Sequence, residues 1–311
     1  MLEFKSTREG LGEALLELAE QGLDVVAISA DTSKSMGTYL LKEKYNNRAY
    51  DCGIAEQNMM MIAAGLASTG RIVFAASYSV FTSMRALEQI RTFICYPNLN
   101  VKIIAGIGGF SGGIEGVTHM ALEDLGIIRC IPNINIVNPS DFYSTKKVIH
   151  EIAKIKKPFY VRIGRDASPV IFKGGYNFEF GKANLLINNG NDIGIITSGL
   201  ILSEVLNVAK ELSAKNIGLK LLEVPTLKPI DEKSIINLVK SVKNIFTIEE
   251  HNIIGGLFSA VSEILTKNFP ARVFPIAVPD IFTESGKPSE LLSKFNLDKQ
   301  GILNIILQKL N

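Results

Sequence analysis

Ile72-Val-Phe-Ala-Ala76 and Val101-Lys-Ile-Ile-Ala105 are short apolar runs, and Thr82–Ile94 between them has a helical pattern. A strand this apolar is buried on both faces, which happens in parallel sheets covered by helices. The same rhythm continues outward. Upstream lie a strand at Val25–Ser29 and helices at Arg8–Gln21 and Glu56–Ser68. Downstream lie strands at Ile134–Val137 and Phe159–Arg162, with a helix over Asp141–Ile155 that opens at Ser140-Asp141 after Pro139. Residues 163–190 break the pattern with Gly164, Pro169, Lys173-Gly-Gly-Tyr176 and Asn188-Asn-Gly-Asn-Asp192. A second series then places strands at Ile193–Thr197, Gly218–Glu223, Asn244–Glu249 and Arg272–Val278. Its helices fall at Leu200–Lys215, Glu232–Lys240, Gly256–Asn268 and Lys299–Leu310. The expected fold class is α/β: two doubly wound domains, each with a mostly parallel central sheet. Their bounds are residues 1–165 and 185–311, joined by a linker at 166–184.

Composition narrows the function classes. The 311 residues are 47% hydrophobic and 21% charged, which excludes a disordered, collagenous or coiled-coil chain. Lys+Arg 33 against Asp+Glu 31 leaves +2, so no strong field points to nucleic acid or an anionic membrane. The apolar run Met59 to Ala67 is too short to span a bilayer, and the first residues lack the apolar core of a signal peptide. Cys52, Cys95 and Cys130 form no CxxC pair, which predicts reduced thiols, a cytoplasmic protein and no metal site in this chain. A soluble enzyme or binding protein is left.

In such sheets ligands bind at the carboxyl ends of the strands, and three segments near predicted strand ends stand out. Asp51-Cys-Gly-Ile-Ala-Glu56-Gln-Asn puts an acid at the start of an otherwise apolar helix. It either favours the helix N-terminus or, if buried, exchanges a proton or hydrogen-bonds a protonated ring nitrogen. Ala105-Gly-Ile-Gly-Gly-Phe-Ser-Gly-Gly-Ile-Glu-Gly-Val-Thr-His119 holds six glycines in fifteen residues, so its backbone could approach a ligand closely. Neither a P-loop nor a Rossmann fingerprint is present. Tyr78-Ser-Val-Phe81 offers two aromatics at a strand-to-helix turn, able to pack in the core or stack on a flat ring.

Taken in order, Gly53-Ile-Ala-Glu56-Gln, Tyr78-x-x-Phe81, Gly116-Val-Thr-His119, Arg129-Cys-Ile-Pro-Asn133 and Glu249-Glu-His-Asn-Ile-Ile-Gly-Gly256 resemble the C-terminal half of a transketolase. That half comprises the pyrimidine-binding and C-terminal domains of a thiamine diphosphate enzyme. The resemblance implies that Glu56 contacts N1′ of the aminopyrimidine and that Tyr78 and Phe81 pack on that ring. Asp31 would lie near the cofactor. It further implies that Arg8, Ser35, Glu115, His119 and Arg165 bind a sugar phosphate, with Glu56 and His119 as the catalytic pair. A guanidinium fork suits phosphate oxygens. The family's magnesium and diphosphate domain should precede this segment, so the chain resembles the C-terminal subunit of a split transketolase. Mg²⁺ would then be bound by a separate N-terminal diphosphate-binding subunit in an α2β2 heterotetramer.

The implied activity is transfer of a two-carbon ketol unit from a ketose phosphate to an aldose acceptor. Departures from the family pattern bear on the sugar. A phosphate-binding histidine is missing at or near Gly106, Glu115 stands for an aspartate, and Met120 replaces a glutamine. Two other readings remain open: the beta subunit of a 2-oxo-acid or acetoin dehydrogenase, and a cofactor-free scaffold or regulatory partner.

Overall fold

The computed structural model describes residues 3–310. In chain order its strands are β1 (Phe4–Lys5), β2 (Val25–Ser29), β3 (Ala49–Asp51), β4 (Ile72–Tyr78), β5 (Val101–Gly106), β6 (Asn135–Val137) and β7 (Phe159–Arg162). There follow β8 (Ser168–Pro169), β9 (Asn184–Asn188), β10 (Ile193–Thr197), β11 (Leu219–Glu223), β12 (Thr226–Lys228), β13 (Asn244–Asn252) and β14 (Val273–Val278). They form a seven-stranded sheet in the order β12-β6-β7-β5-β4-β2-β3, a five-stranded sheet in the order β14-β13-β10-β11-β9, and a small β1-β8 ladder. Both large sheets are parallel except at one edge, where β12 and β9 pair antiparallel. The mixed α/β architecture with two mostly parallel sheets is therefore the one its apolar strands predict.

Alternation within the strands shows why. Val26, Ile28, Val73 and Ala75 pack with Met59, Met60, Ala63, Ile90 and Ile94 on one face. Val25, Ala27, Phe74 and Ala76 pack with Leu11, Leu15, Val148 and Ile152 on the other. Neither face is left to water, so no polar alternation could show in the sequence. The helix Thr7–Glu20 begins at a capping box in which Ser6 and Glu9 satisfy each other's backbone N–H groups. It lies against the helix Phe142–Ala153 at Gly10, where a Cβ would stand 2.6 Å from the Phe142 carbonyl oxygen.

Two features depart from the expected elements. The stretch read as one helix over 82–94 is wound as π turns at Phe81–Arg85 and Ile90–Cys95, with a short α turn at Leu87–Gln89 between them. Thr82 and Ser83 both donate their hydroxyls to the Ser79 carbonyl at 3.1 and 2.7 Å, competing with the regular ladder. The second departure is β12, which belongs by sequence to the second half of the chain yet completes the edge of the first sheet beside β6.

The order of the first sheet also places its crevice. From β2 the chain moves to β3 on one side, then returns to β4 on the other side of β2. Connections that leave in opposite directions open a gap at the carboxyl ends of β2 and β4.

Candidate active site

Glu56 opens the helix Glu56–Ser68 directly after β3, and only 1% of it is exposed. A carboxylate this deep needs a partner. Arg85 supplies one: its Nη1 donates to Glu56 Oε2 at 2.8 Å, while Ser77 Oγ lies 3.5 Å from Oε1. The Arg85 guanidinium in turn stacks over the Phe81 ring, 4.3 Å from its centroid. Arg85 lies four residues beyond Phe81, so the turn that presents the aromatic also presents the counter-charge.

Three rings meet at the crevice. Tyr78, at the end of β4, stacks with Phe81 at 6.0 Å between centroids, and His119 sits edge-on to Phe81 at 5.3 Å and to Tyr78 at 6.1 Å. The Thr118 hydroxyl is 2.9 Å from His119 Nδ1. On the other side, the Tyr78 hydroxyl donates to Ser35 Oγ at 3.2 Å, and Arg8 Nη1 donates to the Ser35 carbonyl at 3.3 Å. Residues from four connections thus converge, those after β2, β3, β4 and β5, with Arg8 joining them from the first helix. Asp31 stands apart from the ring cluster. It is exposed, with φ at 57°, and its N–H donates to Asp51 Oδ1 at 3.0 Å. Burial would raise Asp51, but hydrogen bonds from Ser29, Gly53 and Asp31 hold its carboxyl below the usual range.

Arg165 and Glu115 form a two-pronged ion pair, with Arg165 Nη2 donating to Glu115 Oε2 at 3.2 Å and Nη1 to Oε1. The pair holds the Glu115 carboxyl below its ordinary range against the opposing effect of burial, and the Glu115 hydrogen bond raises Arg165. At Gly106 a Cβ would lie 2.2 Å from Met36 Sδ, so the thioether of Met36 fills the space a side chain would need. Ile107, next along, is buried at φ 49°, a left-handed backbone unusual for a β-branched residue.

The glycine-rich loop has a different use from the one its composition suggests. A Cβ at Gly108 would strike Arg162, one at Gly109 would strike Glu250, one at Gly113 the Gly286 carbonyl, and one at Gly116 Ser285. Much of the loop's bareness admits its own protein rather than a ligand. Beneath it lies a buried network. Arg162 donates to the carbonyls of Glu250 (3.1 Å) and Ala121 (2.8 Å), and its Nε is 3.2 Å from Asp124, whose carboxylate also accepts from the Tyr160 hydroxyl. Glu250 Oε1 accepts the Phe110 N–H at 2.5 Å, and Glu249 accepts the N–H groups of Leu257 and Phe258 at a helix start. Burial raises both glutamates. Gly126 N–H donates to His251 Nε2 at 3.3 Å. The Glu249-Glu-His-Asn252 motif therefore ties the second lobe to the floor of the first.

Arg85 and this network escape a reading of residue types, although a buried Glu56 implies a cation nearby. Among the described residues, no three His, Cys, Asp or Glu side chains gather to hold a metal ion, and no helix is long and apolar enough to cross a membrane.

Comparison with known proteins agrees over the whole chain. Residues 4–170 match the transketolase pyrimidine binding domain and residues 181–302 the transketolase C-terminal domain. The chain is 35% identical over 302 residues to an apulose-4-phosphate transketolase subunit of Phocaeicola vulgatus, covering 97% of this chain and 96% of that one. It is 34% identical over 302 residues to the 6-deoxy-6-sulfo-D-fructose transketolase subunit of Clostridium sp. (strain MSTE9), covering 97% and 94%. A solved structure described as a split gene transketolase, inactive beta4 tetramer, superposes with a TM-score of 0.90 at 38% identity over 98% of both chains. The protein belongs to the transketolase family and corresponds to its C-terminal subunit.

Proposed function

We propose that this chain is one half of a thiamine diphosphate-dependent transketolase, transferring a two-carbon ketol unit between sugar phosphates once joined to a diphosphate-binding subunit. The observation that carries this is Glu56, a carboxylate 1% exposed at the sheet's switch point, held by Arg85 beside the rings of Tyr78 and Phe81. A buried acid beside a stacked aromatic pair fits the aminopyrimidine end of the cofactor. Bound there, thiamine diphosphate would supply the carbon nucleophile that takes up the ketol unit.

In this reading Glu56 hydrogen-bonds the N1′ nitrogen of the pyrimidine ring, and low dielectric strengthens that bond. Tyr78 and Phe81 cover the ring, Asp31 lies at the rim towards the partner, and His119 faces the substrate's hydroxyl and carbonyl end. Arg8, Ser35 and Arg165 hold the phosphate of the sugar, and Glu115 belongs to the substrate-binding set beside them. The two guanidinium groups favour a phosphorylated sugar over a 2-oxo acid. The partner subunit would bring the diphosphate and Mg²⁺ site, in an α2β2 assembly. The two subunit relatives are named for different sugars, so the physiological pair is open to assay.

The test is a ketol-transfer assay with thiamine diphosphate, Mg²⁺, xylulose 5-phosphate and ribose 5-phosphate, run with this chain alone and with the partner. Activity is expected only in the mixture. Glu56→Gln should fold normally and lose at least ~100-fold in turnover, the scale of a lost acid–base group. Full activity in that variant would overturn the mechanism, and reduction of a lipoyl acceptor would move the protein to the oxo-acid dehydrogenases.

A further inference from the structure

We propose that Thr7 is a positioning residue: its hydroxyl clasps Gly164 and thereby sets Arg8 and Arg165, one residue further along each strand of chain, at fixed places for one phosphate group. The inference rests on the phosphate-binding role proposed for those two arginines.

Thr7 is completely buried in the first turn of the first helix, where a hydroxyl has no helical requirement to meet. Its Oγ1 accepts the Gly164 N–H at 2.9 Å and donates to the Gly164 carbonyl at 3.0 Å. Both bonds go to one residue, 157 positions away in sequence. Such a reciprocal pair fixes the separation and the relative orientation of two chain segments, as a hydrogen-bonded pair does in a β-ladder. A single hydrogen bond would leave a hinge. Gly164 is pinned on its other side too, since a Cβ there would stand 2.5 Å from Leu200 Cδ1.

The residues just beyond the clasp give it a functional direction. Arg8 leaves Thr7 and reaches the carbonyl of Ser35; Arg165 leaves Gly164 with its N–H on Ser111 Oγ at 2.7 Å and its fork on Glu115. Two cations from opposite ends of a domain are thus rooted at one buried hydroxyl. Bidentate recognition of phosphate tolerates little displacement of the guanidinium planes. Losing the clasp should therefore weaken phosphate recognition and spare the chemistry, which lies at Glu56.

The assembled enzyme, this chain with its diphosphate-binding partner, is assayed with xylulose 5-phosphate as donor and either ribose 5-phosphate or unphosphorylated glycolaldehyde as acceptor. Thr7→Val keeps the shape and removes the hydroxyl; Thr7→Ser keeps the hydroxyl. At saturating donor, Thr7→Val should raise KM for ribose 5-phosphate about ten-fold, with kcat and the glycolaldehyde KM changed less than about two-fold, and Thr7→Ser should restore the wild-type value. Arg8→Ala and Arg165→Ala, run beside them, separate two failures. If both arginine variants discriminate against the phosphorylated acceptor and folded Thr7→Val does not, the clasp has no positioning role. If the arginine variants show no discrimination, the phosphate-grip reading falls and the proposal with it. Where Thr7→Val does not assemble, Thr7→Cys, with a weaker donor and acceptor, is held to the same criteria.

Discussion

Glu56 and Arg85 meet conflicting demands. The role proposed for Glu56 asks for a carboxylate shielded from water, yet shielding without a counter-charge is costly. Arg85 resolves this from a half-exposed position, its side chain 48% accessible, so it can solvate its outer face while bonding inward. Removing it should destabilise the fold by about 2 kcal/mol, less than for a fully buried pair because the arginine is partly in water. Glu56→Gln in the Arg85→Ala background should recover most of that loss, and denaturant midpoints of the four-member cycle measure the coupling. At the other end of the site, Glu115 already occupies the Arg165 fork, so a phosphate has to displace a carboxylate to bind there. With an amide in its place, Glu115→Gln should lower the inhibition constant of inorganic phosphate about two- to five-fold, the scale of a partly exposed ion pair. An unchanged or raised constant would show that Glu115 does not compete for the guanidinium.

The helix Phe142–Ala153 shows how much one capping residue can organise. Asp141 Oδ1 accepts the Ser144 N–H at 2.7 Å, and Oδ2 accepts the N–H groups of both Ile171 and Phe172 at 2.8 Å. The cap therefore also anchors the connection between the lobes. Asp141→Ala should cost about 3 kcal/mol, more than the ~1 kcal/mol of an ordinary cap, as read from the denaturation midpoint. The helix start at Ser140-Asp141 is visible in the sequence because it is a local signal. So are the central strands, whose unbroken apolar runs admit few other readings. Thr226-Leu-Lys228 gives no such signal: three residues of mixed polarity become a strand only because β6 offers an open edge. The site divides in the same way. Glu56, Tyr78, Phe81 and His119 stand out by residue type and place. Arg85, Thr7 and Met36 do not, because each matters through a partner distant in sequence. The glycines at 108, 109, 113 and 116 are legible as a need for clearance, but not as clearance for Arg162, Glu250, Gly286 and Ser285.

On the scale of the molecule, the two lobes share a polar network beside an apolar contact in which Phe110, Met120 and Leu122 pack into the second core. Glu250 belongs to that network, and burial keeps its folded pKa above the ordinary 4.5. The folded state then holds a proton that the unfolded state has released between those two values. Stability from this group is full below about pH 4.5 and declines as pH rises through the folded value. The wild-type Tm should therefore exceed that of Glu250→Gln by more at about pH 5 than at about pH 8, a difference that scanning calorimetry at both values measures. A gap that widens towards alkaline pH would contradict the assignment. The stray strand β12 has a further consequence, one for the nascent chain. The first sheet cannot close until residue 228 of 311 has left the ribosome. Until then Asn135–Val137 offers a bare hydrogen-bonding edge to any extended peptide nearby. A chain that has emerged only as far as residue 170 would be an adhesive half-protein, and one that has emerged past residue 230 a lobe whose edge strand is paired.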